Sequence, residues 1–240
     1  MIRSLRCVSL SLLLAPLAVA QLPIFPGNIL VSRVGDGTAT ITSDATARFL
    51  DEYTPAGVLV QTFAMPTTAV APNFALTNSG SADSEGYISQ SADGNYFILV
   101  GYDAPVGTGS VATTPTTTVR RVIGRMDIFG NVDTSTGLTD AYPGGNIRSA
   151  CSVDGNSFWT GGNNAGVRHV GNVGDSTSTQ LSTTLNNLRV VNIQNQQLYC
   201  SSQSGAFLGV SAVGSGLPTT SGQTITSIVA QTGNNNYDFF

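Results

Sequence analysis

A seven-residue segment occurs twice in this chain and constrains its fold more than any other feature. Ser91-Ala92-Asp93-Gly94-Asn95-Tyr96-Phe97 recurs 61 residues later as Ser152-Val153-Asp154-Gly155-Asn156-Ser157-Phe158. Asp-Gly is a favoured pair for a tight hairpin, because glycine accepts a positive φ without steric penalty. A degenerate third copy, Asn195-Gln196-Gln197-Leu198-Tyr199, occupies the corresponding turn and strand. The hairpin Tyr53-Thr54-Pro55-Ala56-Gly57-Val58 is likewise answered by Asp127-Ile128-Phe129-Gly130-Asn131-Val132. Units beginning near Ile29, Tyr87, Ile147 and Val190 have the spacing of four-stranded propeller blades once variable loops stretch the period.

Nothing after Gln21 reads as an amphipathic helix. Short Val-, Ile-, Thr-, Phe- and Tyr-rich runs alternate with Gly, Asn, Asp and Ser, which is the pattern of consecutive hairpins. Strands are predicted at 29–34, 48–53, 58–65, 96–102, 119–127, 147–152, 158–161, 167–170, 188–193, 198–202, 207–213 and 225–230. The expected fold is all-β, a propeller-like array of about four four-stranded blades over a single domain at 21–240. A β-sandwich of the same hairpins is the rival arrangement.

Two stretches, Ser152-Val153-Asp154-Gly155-Asn156-Ser157-Phe158-Trp159 and Leu188-Arg189-Val190-Val191-Asn192-Ile193, make the chain resemble secreted β-propeller-like repeat proteins of bacteria and some microbial eukaryotes, most without an assigned activity. The resemblance extends loosely over residues 21–240 and concerns blade construction; it brings no catalytic residues with it. Such proteins look longer, with further blades. The array is therefore expected to close on four units, to be a fragment, or to be completed by another chain along an open sheet edge.

Arg3 and Arg6, the apolar run Val8 to Leu14 and the small-residue site Ala18-Val19-Ala20 read as a secretory signal peptide over 1–20, which places the chain outside the cell or at its surface. No later stretch approaches the ~18 consecutive apolar residues of a membrane span. Loss of the signal removes Cys7 and leaves Cys151 and Cys200. In an oxidising compartment these are expected to pair; two small buried thiols in strands are the alternative.

Composition excludes several chemistries. Only 10% of residues are charged, the sequence pI is about 4.7, and all ten cationic side chains are arginine. An acidic chain offers no basic field for nucleic acid. Without lysine there is no Schiff base and no P-loop, and with His169 as the one histidine there is no His-Glu-x-x-His zinc site. No cofactor or metal is implied. The Asp-Gly pairs at Asp36, Asp93 and Asp154 each bring a single carboxylate, so they read as turns before calcium loops.

Other motifs have mundane readings. Gly107-Thr108-Gly109-Ser110-Val111-Ala112 fits G-x-G-x-x-A, but threonines and Pro115 follow where a dinucleotide fold needs a helix. Gly209-Val210-Ser211-Ala212-Val213 misses a nucleophile elbow by one residue and sits in a strand pattern. Asp51, Glu52, Glu85 and Asp103 are the acids a glycosidase would have to draw on. Thr38, Thr40 and Thr42 would line one face of a strand, and the run from Thr113 to Thr118 suits O-linked sugar. Trp159, Tyr96, Phe97, Phe158 and Tyr199 all follow the repeated turn, which points to packing between blades; a ligand-stacking platform is the second reading of Trp159. The functional expectation is a secreted, non-enzymatic protein that binds extracellular glycan, matrix or protein, or assembles through its open edge. The alternative is the N-terminal part of a propeller glycosidase or lyase.

Overall fold

The computed structural model describes residues 21–232 and 238–239. The expected signal peptide and Cys7 lie outside the described residues. Strands β1 (Ile29–Val34), β2 (Ala45–Thr46), β3 (Arg48–Tyr53), β4 (Leu59–Ala64) and β5 (Asn78–Ser79) come first. β1, β3 and β4 make a three-stranded sheet, while β2 and β5 pair as a separate ribbon. Three four-stranded sheets follow. They are β6 (Ser89–Gln90) to β9 (Val132–Leu138), β10 (Ile147–Cys151) to β13 (Thr179–Gln180), and β14 (Leu188–Gln194) to β17 (Ile225–Ala230). The strands between them are β7 (Tyr96–Tyr102), β8 (Arg121–Asp127), β11 (Phe158–Gly162), β12 (Arg168–Val170), β15 (Gln197–Ser202) and β16 (Gly209–Val213).

In each four-stranded sheet, strand order equals chain order and every pairing is antiparallel. The protein is all-β, as expected, with five small sheets. The first unit departs from the expected pattern: its sheet has three strands. Its inserted segment makes the β2–β5 ribbon instead of a fourth strand.

Successive sheets share apolar layers, and side-chain alternation along each strand explains how. In β7, Ile98, Val100 and Tyr102 point into a core shared with Ile147, Ala150 and Phe158 of the next sheet. Leu99 and Phe97, facing the other way, join Leu50 and Phe63 of the first sheet. β10 and β11 repeat the device: Ala150 and Phe158 face one layer, whereas Cys151 and Trp159 face another with Leu188, Val191, Leu198 and Cys200. A period of two thus serves two cores from one strand.

The repeated turn follows the sequence closely. Asp93 accepts from the Asn95 backbone N–H at 3.1 Å and from its side-chain amide at 2.8 Å. Asp154 does the same with Asn156, both at 3.0 Å. Gly94 and Gly155 have φ of 79° and 77°. The two copies also touch. Backbone N–H groups of Ala92 and Asp93 donate to the carbonyls of Ser152 and Val153, each at 3.0 Å. The Tyr96 ring lies where a Cβ on Gly155 would be, so that glycine is required by contact as well as by φ.

Two local expectations fail. Residues 38–42 form no strand, because Asp36 turns the chain by accepting from the backbone and hydroxyl of Thr38, with Gly37 at φ 83°. β9 was not predicted at all: its sequence Val-Asp-Thr-Ser-Thr-Gly-Leu looks like loop. It pairs along β8 and buries Thr134, Thr136 and Leu138.

Candidate functional site

A cleft of about 380 Å³ runs along the leading strands of the three four-stranded sheets. Ser89 and Gln90 line it from β6, Ser91 from the turn that follows, Ser149 from β10, and Asn192 and Gln194 from β14. Asp238 and Phe239 lie along it too, and partial desolvation raises the Asp238 pKa from its ordinary value. The Ser149 hydroxyl accepts from the Val191 N–H at 3.0 Å, and the Ser89 hydroxyl donates to the Ala150 carbonyl at 2.7 Å. These bonds tie neighbouring leading strands together across the cleft. Its remaining polar lining is neutral amide and hydroxyl.

Next in sequence to Ser149 and Val190, the repeat places two arginines, Arg148 and Arg189, neither of which lines the cleft. Counting back from the paired turns, Tyr87 corresponds to Arg148 and Glu85 to Asn146. The third unit's Asn146-Ile147-Arg148 reappears in the fourth as Asn187-Leu188-Arg189. Both arginines sit where their strands slip register: between Ile147 and Ser149 against β11, and between Leu188 and Val191 against β15. A bulge of this kind re-aims a side chain that regular alternation would send elsewhere.

The Asn187 side-chain oxygen joins them. Arg148 Nη1 donates to it at 2.7 Å and Arg189 Nη1 at 3.0 Å. Arg148 Nη1 also donates to the Leu188 carbonyl at 2.8 Å, and Arg189 Nη2 to Gln203 Oε1 at 2.8 Å. Burial, then the Arg189 charge, lowers the Arg148 pKa to about 10; Tyr87, Glu85 and Tyr102 act in the opposite direction. The guanidinium stays protonated at neutral pH. Glu85 is engaged elsewhere, accepting from the Ser79 N–H, the Tyr102 hydroxyl and the Asn146 amide, each at 2.6 Å, and from the Asn78 amide at 3.2 Å.

The acids named from sequence are not brought together. Asp51 is bonded by Arg33, at 2.6 and 3.1 Å, and by the Thr62 hydroxyl at 2.7 Å. Glu52, on the other face, accepts from the Phe25 N–H, Asn28 and Gln61. Asp103 holds the Ala75 N–H and Arg120. Each carboxylate organises its own stretch of backbone. Ser211 lies inside β16, as its strand pattern suggested, and His169 in β12 stands opposite Trp159 with ring centroids 5.1 Å apart. Burial lowers the His169 pKa.

Trp159 and the cysteines belong to the layer between the third and fourth sheets. Trp159 is 3% exposed and its indole N–H donates to the Pro218 carbonyl at 2.7 Å. It therefore offers no ring face to a ligand, which corrects the stacking alternative. Cys151 and Cys200 are free thiols, so the expected disulfide is absent. Cys151 stands opposite Trp159 and Cys200 opposite Val191 and Ser211, each on a different sheet. Burial pushes the Cys200 thiol up to about 12 and the Cys151 thiol higher still. The outcome is the buried-thiol alternative.

Sequence reading passed over Arg148 and Arg189. Their signal was the Asn-x-Arg recurrence, which the longer Asp-Gly repeat overshadowed. No protein-family model matches the chain, and no curated protein shows significant sequence similarity to it.

Proposed function

We propose that the chain is a secreted, non-enzymatic β-repeat protein, built as a propeller-like array, that binds extracellular glycan through its cleft. The observation that carries this reading is the lining of that cleft. Gln90, Asn192 and Gln194 present neutral amide groups along the leading strands of the second and fourth units, while the hydroxyls of Ser89, Ser91 and Ser149 hold those strands in place. An elongated ligand rich in hydroxyls suits such a surface, because few precisely placed polar groups fix orientation while the sheet edges stay rigid. The stacked sheets, three of them four-stranded meanders in chain order, favour the propeller over the sandwich, in which two sheets would share one core.

The terminal sheets leave apolar residues in solvent: Ile29 and Leu59 at one end, Ile228 and Val229 at the other. These surfaces suit assembly with matrix or with further blades. The glycan reading is tested by binding to an array of neutral oligosaccharides, comparing the wild type with Asn192→Ala and Gln194→Ala. Retention that falls at least tenfold in these variants, with unchanged melting, is the expected result. Binding that the variants leave intact, or no binding to any glycan, contradicts it.

A further inference from the structure

We propose that the glycan cleft continues past Gln90 into a stacking subsite, where the C–H face of one pyranose ring packs against Phe25. The inference rests on the glycan reading and adds to it the chemistry that holds one sugar of the chain. A second hollow, of about 350 Å³, is walled by Phe25, Pro26 and Leu30 from the segment leading into β1, and by Gln90, Gly94 and Phe97 from the β6–β7 hairpin. Its size falls within the range of about 300–1,000 Å³ usual for ligand pockets. Gln90 also lines the cleft. The two hollows share that wall, so one oligosaccharide can occupy both.

The first support is the exposure of Phe25. The residue lines the hollow and is 50% exposed, the accessibility that the buried Trp159 lacks. Ile24 makes this segment's contact with the apolar layer between the first two sheets, and Phe25 has no place in that layer.

The second support is how firmly the exposed residue is held. The Glu52 carboxylate, itself fully buried, accepts from the Phe25 N–H at 2.8 Å, from the Asn28 amide at 2.6 Å and from the Gln61 amide at 2.7 Å. The Asn28 N–H donates to the Phe25 carbonyl at 3.1 Å, and the Ile24 N–H to the Ile128 carbonyl at 2.7 Å. A buried carboxylate is thus spent on fixing the backbone of an exposed aromatic residue. A platform ordered before the ligand arrives spares the cost of ordering it on binding.

The third support is charge. No charged side chain lines the hollow, so its complement is a neutral ligand with one apolar face and a polar rim. A pyranose has that form. Its C–H groups, slightly positive, face the negative face of an aromatic ring, and its hydroxyls project sideways. Gln90 Nε2 donates to the Gly94 carbonyl at 3.1 Å, which leaves Gln90 Oε1 to accept from a hydroxyl at that rim.

The experiment measures binding of the full chain to neutral gluco-, galacto- and manno-oligosaccharides of two to six residues. Wild-type affinity should rise with length. Phe25→Ala should remove that rise and weaken hexasaccharide binding at least tenfold, whereas Phe25→Trp should keep it and show a blue-shifted fluorescence on binding. Both variants should melt with the wild type, because the ring lies outside the core. Hexasaccharide binding that Phe25→Ala leaves intact while Asn192→Ala weakens it overturns the subsite and spares the glycan reading. A wild type that binds no member of the series overturns both.

Discussion

Arg121 and Arg148 are both buried arginines at the boundaries between successive sheets, and they are treated oppositely. The Arg121 guanidinium gives all its nitrogens away, to the carbonyls of Gly145, Val119, Ala112 and Thr114 and to the Thr114 hydroxyl. It also lies 5.0 Å from the centre of the Tyr102 ring. Arg148 has a bare Nε and a second cation beside it. The first arginine staples loop 111–120 and the loop before β10 onto the second sheet. The second is held in place but not satisfied. A buried charge is therefore no sign of function by itself; two arginines of similar burial differ in how fully their hydrogen bonds are met.

The largest effect that sharpens this contrast is expected from Arg121→Ala, because it leaves several buried carbonyls without donors. Chemical denaturation should register a loss of about 3–5 kcal/mol. Arg148→Gln should cost about 1 kcal/mol, since relief of the Arg189 repulsion and of the bare donor offsets two lost bonds. Equal costs for the two would break the comparison.

Trp159→Ala removes a large core side chain and an N–H bond between the third and fourth sheets, with an expected loss of about 3–5 kcal/mol. Unchanged stability would contradict the placement of Trp159 in the core.

Gly155→Ala acts on the second-to-third boundary alone. The new methyl meets the Tyr96 ring at a φ of 77°, and about 1–3 kcal/mol of destabilisation follows. Gly57→Ala has open space around it at φ 81° and should lose only the conformational part, about 1 kcal/mol. Indistinguishable denaturation midpoints for the two would show that the repeated turns do not pack on each other.

The smallest expected effect is that of reductant. With Cys151 and Cys200 as free buried thiols, the melt should be the same with and without dithiothreitol. A thiol reagent should label neither cysteine in the native state and both after denaturation. A lower Tm on reduction would show that the two are bonded.

Much of the architecture was legible because the repeat combines two strong local signals. Asp-Gly-Asn fixes a turn through side-chain bonds to its own backbone, and the apolar residues after it alternate with the period of a strand. That is why all twelve predicted strand segments overlap observed strands. What escaped was set by partners distant in sequence. β9 is polar in composition, and its Thr134 N–H and hydroxyl are held by Asn73 and Phe74, some 60 residues away. The first unit lost its fourth strand because 35–47 is spent on the Asp36 turn and on pairing β2 with β5. The burial of Trp159 between two sheets follows from its position after the turn. The unpaired cysteines were not: their spacing and compartment favoured a bond, while which sheet each would occupy is written nowhere locally. Arg148 and Arg189 were in plain view as Asn-x-Arg, yet the register slips that turn them inward depend on how β10 and β14 pair with β11 and β15.

The most direct measurement is the arginine Nε–Hε spectrum of ¹⁵N-labelled protein. Arg121 and Arg48 Nε–H, which donate to the Gly145 carbonyl and the Ser32 hydroxyl, should show the downfield shifts of hydrogen-bonded groups, and Arg148 Nε–H, buried without an acceptor among the described residues, should not. Downfield shifts shared by all three arginines, or by none, would contradict the distinction between a satisfied and an unsatisfied buried guanidinium.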